Sequence, residues 1–121
     1  MSYWISLVKD ETPVEVENHK EGGTYDLNGS NVAELNVTYN YFYFFKKELD
    51  KEEGIRALDG DKAKKWVDKL KQAVDNLGDK PATEKNIKGD YWTPTPGNAG
   101  HSLKTLLEWA KQHPEAKFEV N

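Results

Sequence analysis

"NGSNVAELNVTYNYFYFFKKEL", residues 28–49, decides how the rest of the chain is read. Asn28-Gly29 tolerates positive φ at both positions, so the pair marks a two-residue hairpin turn between two extendable segments. The flanking segments predict strands over Gly23–Leu27 and Ser30–Thr38. Along the second of them Ala33, Leu35, Val37 and Tyr39 point one way. Glu34, Asn36, Thr38 and Asn40 point the other, because successive side chains alternate faces. The aromatic run that follows reads as a short helix over Tyr41–Leu49, with a continued strand as the competing reading.

Working outward, "YWISLV" (Tyr3–Val8) is rich in aromatic and β-branched residues and predicts a first strand. A short strand at Val14–Val16 follows a polar, turn-rich stretch. Downstream, Ala63, Trp66, Val67, Leu70, Ala73, Val74 and Leu77 recur at three- and four-residue steps, the period of a helix with one buried face. Asp61 is placed to cap that helix and Gly78 to end it. Leu103, Leu106, Leu107 and Ala110 form the stripe of a last helix, which His113-Pro114 stops. "AKFEV" closes the chain as a strand. Strands at both ends with helices between predict one α+β domain over residues 1–121: a small, mostly antiparallel sheet packed on two or three helices. Its strands are the N-terminal one, the 23–38 hairpin and the C-terminal one.

Composition narrows the function classes. The net charge is −4, from 17 basic and 21 acidic residues, and the basic residues are scattered. A DNA or RNA partner calls for a basic face that neutralises phosphates, and none is visible. The same acidity means that an anionic ligand needs a local device. The absence of cysteine removes disulfides, thiol catalysis and cysteine zinc sites. No apolar run approaches the roughly 18 residues of a membrane span, so no membrane partner is expected. With no signal-peptide layout at the N-terminus, a cytoplasmic protein is the expectation. His19, His101 and His113 lack the spacing of a metal site, so no metal or cofactor is expected. Catalysis has no marked nucleophile beside His101, and the reading leans away from an enzyme.

Two features are locally costly. In "TPTPGNAGH", residues 93–101, Thr95 and Pro96 make a well-formed helix start, with Asn98 as an alternative cap. Gly97 and Gly100 inside a helical first turn cost about 1 kcal/mol each relative to alanine. Small residues there leave backbone N–H groups open to an anion, with His101 as a further donor; the plain alternative is chain punctuation. The second feature is the neutral polar stripe Asn36, Thr38 and Asn40, since asparagine is a poor strand former. Its side chains could read a base edge or sugar hydroxyls; the plain alternative is the wet face of a half-buried sheet. Tyr91 and Trp92 either stack on a flat ligand or fill the space under a loop. The Tyr39–Phe45 aromatics are core, with self-association into a homo-oligomer as the alternative.

The pieces "EGGTY" (21–25), "NVTYNY" (36–41), "GIRALDG" (54–60) and "PTPGNAGHSLKTLLEWAKQHPEAKF" (94–118) resemble a group of small proteins encoded by bacteriophages and prophages. The resemblance implies a phage or prophage origin and action inside a bacterial cell, and carries no mechanism. Joined to the costly features, it yields the expected function. The protein binds a nucleotide-like small molecule through Asn36, Thr38, Asn40, Tyr91, Trp92, Thr95, Gly97, Asn98, Gly100 and His101, and so sequesters a host immune signal. The alternatives are direct contact with a host defence protein and, third, an enzyme acting on a nucleotide.

Overall fold

The computed structural model describes residues 2–19, 30–78 and 96–121. The fold is α+β, with an antiparallel sheet that includes both the N-terminal and the C-terminal strand. Strand β1 (Ser2–Lys9) is central. It pairs along one side with β5 (Glu34–Thr38), in the register Tyr3↔Val37 and Ile5↔Leu35, and along the other with β6 (Lys117–Val120), Leu7 opposite Phe118. The alternation written in "YWISLV" is realised: Tyr3, Ile5 and Leu7 are buried, while Trp4 is 44% exposed.

At the far end of β1 the chain reverses into β2 (Thr12–Pro13). Asp10 and Glu11 form this two-residue turn with φ of 54° and 66°, the left-handed conformation that matches strand twist but suits glycine or asparagine better than glutamate. Three backbone bonds then close a ring: Leu7 N–H donates to Ala33 O, Ala33 N–H to Val14 O, and Val14 N–H to Leu7 O, all at 2.9–3.0 Å. Beyond this junction β3 (Glu15–His19) pairs with β4 (Ser30–Val32) as a separate two-stranded ribbon. The single strand expected over Ser30–Thr38 is therefore split at Ala33, whose N–H and C=O serve Val14 and Leu7. The expected strand Gly23–Leu27 and the Asn28-Gly29 turn lie outside the described residues.

Strand β5 ends where the Thr38 hydroxyl accepts the Asn40 N–H at 3.2 Å. That bond caps a tight 3-10 turn, Tyr39–Tyr41, which feeds directly into α1 (Phe42–Glu48). The aromatic run is thus a helix, with Tyr41 and Phe45 turned into the core. After a turn in which Asp50 accepts the Glu52 and Glu53 N–H groups (2.8 and 2.7 Å), the segment 59–63 runs along the outer edge of β6. Gly60 N–H donates to Phe118 O, Phe118 N–H to Asp61 O, and the Asp59 carboxylate accepts the Val120 N–H at 2.9 Å. An edge that would otherwise offer unpaired backbone is covered.

Helix α2 (Val67–Leu77) follows a 3-10 turn at Ala63–Lys65. Asp61 does not cap it. Its carboxylate instead accepts the Trp66 indole N–H at 2.9 Å and pairs with Lys65 at 3.2 Å, fastening the ring over the helix entry. Gly78 ends α2 at φ 80°. Helix α3 (Pro96–Gln112) buries Leu103, Leu106, Leu107, Trp109 and Ala110. These meet Ile5, Leu7, Leu35, Val37 and Phe118 from one face of the sheet in a continuous core, each large side chain contributing about 1.5–3 kcal/mol of transfer free energy. The other face of the sheet carries Trp4, Asn36 and Glu119 and lies toward solvent.

Candidate functional site

The start of α3 has a packing explanation. Pro96 is the first helical residue, and Asn98 lies within the helix rather than at its cap. Gly97 is half-buried, Asn98, Ala99 and Gly100 are buried, and His101 is exposed. A Cβ on Gly100 would stand 1.6 Å from the Gly78 carbonyl oxygen and 2.8 Å from its carbon. The small residue therefore lets α3 cross the end of α2 at backbone contact. Ser102 closes the same turn by donating to Ala99 O at 2.7 Å. Thr95, Tyr91 and Trp92 lie outside the described residues.

The polar stripe is divided. Asn36 and Thr38 occupy half-buried positions on the solvent-facing side of β5. Asn40 has left the strand and is exposed in the turn that the Thr38 hydroxyl caps. Between this face and the buried first turn of α3 lie the apolar face of the sheet and the core.

What Asn36 does share is a row across the sheet with an exposed tryptophan. Trp4 is its direct partner on β1. On the opposite side Trp4 exchanges both backbone bonds with Asn121, N–H to O at 3.1 Å and O to N–H at 2.8 Å. The backbone groups of Trp4 therefore all point toward Asn121. Asn36 is then its non-hydrogen-bonded neighbour, at the closer Cα spacing of about 4.5 Å against about 5.5 Å for the bonded pair. Partners in an antiparallel pair project to the same face, so an indole stands between two carboxamides. Neither Trp4 nor Asn121 was marked by sequence reasoning. The signal was the alternation itself, which puts Trp4 out of phase with Tyr3, Ile5 and Leu7.

A second group was also missed. Arg56, the only arginine in the chain, places its guanidinium 5.1 Å from the Tyr3 ring centre and 5.9 Å from that of Tyr39, and donates to the Tyr39 hydroxyl at 3.2 Å. Tyr3 and Tyr39 meet edge to face at 4.5 Å. Burial pushes the Tyr3 phenol above its ordinary value, with the Arg56 charge opposing the shift. Elsewhere, an open depression of about 450 Å³ lies between the β1–β2 turn and β6, near Asp10, Glu11, Lys117 and Glu119. Its rim mixes both charges, and Glu115 there is already held by Lys62 and Lys64 at 3.1 and 3.0 Å, which keep its carboxyl below the usual range.

Among the described residues no group of His, Asp and Glu is arranged to hold a metal ion, and no helix is long and apolar enough to cross a membrane. Comparison with known proteins finds no match: neither a family model, nor a curated protein, nor a solved structure aligns with the chain.

Proposed function

We propose that this is a phage- or prophage-encoded binding protein that acts inside a bacterial host cell by sequestering a nucleotide-type small molecule, such as a host immune signal. The observation that carries this reading is the row Asn36–Trp4–Asn121 on the solvent-facing side of the sheet. An indole 44% exposed offers a face on which a base can stack, worth about 1–3 kcal/mol. Each flanking carboxamide carries both donor and acceptor atoms, the chemistry with which proteins read base edges and ribose hydroxyls. Backbone pairing fixes the Cα positions of all three before a ligand arrives, which lowers the ordering cost of binding. Relative to the expected site, Trp4 takes the stacking role assigned to Trp92, and Asn36 keeps its own.

The experiment is a thermal-shift panel of mono-, di- and cyclic nucleotides. A ligand at roughly 100 times its Kd stabilises by about 2.7 kcal/mol. Trp4→Ala and Asn36→Ala should each remove the shift, read as the difference between the liganded and unliganded melting temperatures of the same variant. No shift across the panel would sink the reading.

One observation favours a second reading, direct contact with a host protein. Phe42 and Tyr43, at the start of α1, are 40% and 70% exposed, and aromatic side chains of this kind anchor protein interfaces. Capture of a host protein that Tyr43→Ala abolishes and Trp4→Ala spares would select it.

A further inference from the structure

We infer that Arg56 and Tyr39 form a binding site for a phosphate group, separate from the sheet face and independent of the reading above. Basic charge in this chain is carried by lysine everywhere except at position 56. Lysine supplies a flexible point charge; arginine supplies a planar fork whose orientation can be fixed. Here it is fixed. The guanidinium lies over two tyrosine rings, and one of its five N–H groups is spent on the Tyr39 hydroxyl at 3.2 Å.

The remaining donors are unclaimed by acid. Arg56 is exposed and pairs with no carboxylate among the described residues, although Glu52 and Glu53 stand on the preceding turn. Because the Tyr39 oxygen accepts from Arg56, its own O–H is not used on the guanidinium and remains a donor. Two fork N–H groups satisfy a planar carboxylate. A third donor from a second residue matches the three terminal oxygens of a phosphate monoester. In an acidic chain this arrangement is the local device that an anion needs.

A single arginine makes the test direct, because its side-chain Nε–H gives one resonance in a ¹⁵N-correlated NMR spectrum. Inorganic phosphate, titrated at constant ionic strength, should shift that resonance along a saturating curve, and acetate at equal concentration should not. Tyr39→Phe removes only the hydroxyl and should weaken the phosphate response by about tenfold with an unchanged urea midpoint. Arg56→Lys, followed through the Asn40 and Tyr39 backbone amides, should abolish it. Three results overturn the site: no response, a response that acetate reproduces, or one that Tyr39→Phe leaves intact.

Discussion

Replacing Gly100 with alanine asks whether the glycines at the head of α3 serve packing. In an exposed helix the change is favourable by about 1 kcal/mol, because alanine has the higher helix propensity. Here the new methyl would meet the Gly78 oxygen at 1.6 Å, its carbonyl carbon at 2.8 Å and Leu77 Cβ at 3.1 Å. The first two are backbone atoms at the end of α2 and cannot rotate aside. Relief requires the helices to separate by roughly the missing 1.6 Å, loosening the packing of Ala73, Leu103 and their neighbours. Overpacking of this kind costs about 1–3 kcal/mol, and a backbone obstacle puts this site at or above the upper end. Net of the propensity gain, Gly100→Ala should lose about 2 kcal/mol. Urea denaturation measures it as a lower midpoint at constant slope. A midpoint unchanged or raised would refute the packing argument and return Gly100 to the list of residues kept small for a ligand.

Three further outcomes follow from the same structure. Glu11→Gly should stabilise by about 1 kcal/mol, because residue 11 sits at φ 66° in a turn that glycine enters without steric cost; a lower urea midpoint would contradict it. Asp61 is held below its ordinary value by the Trp66 indole N–H and then by Lys65, so its contribution is present above the usual aspartate range and lost as pH falls through its lower folded value. Asp61→Asn should flatten stability against pH below about pH 4 and leave its slope above pH 6 unchanged, read from urea midpoints across that range. Leu103→Ala, in the centre of the core, should cost about 2–5 kcal/mol by the same assay, and a loss below 1 kcal/mol would mean that α3 does not pack as described.

Periodicity carried most of the fold. Tyr3, Ile5 and Leu7 alternate, and Leu70 and Ala73 or Leu103, Leu106 and Ala110 recur at helical steps, so the faces they bury could be named from spacing. The failures are at places where one segment answers to another far along the chain. Ala33 breaks its strand because its backbone serves Val14 and Leu7. Asp61, expected to cap α2, instead accepts the Trp66 indole N–H, while its backbone carbonyl accepts from Phe118 on β6. The row on the sheet has the same character. Asn36 was recognisable as an asparagine in a strand, but its neighbour Asn121 comes from the other end of the chain. Gly100 looked costly because the carbonyl it accommodates belongs to Gly78. Arg56 did leave a trace in composition, as the one arginine in a lysine-rich chain, and it went unread.

On the function proposed above, the ligand binds the solvent-facing side of the sheet rather than the head of α3. A ¹⁵N-correlated NMR titration with the nucleotide that gives the largest thermal shift tests it directly. The Trp4 indole N–H and the side-chain amides of Asn36 and Asn121 should move together and saturate together, while the Gly97–Gly100 backbone amides stay still. Movement of those helix amides with Trp4 unchanged would contradict the account.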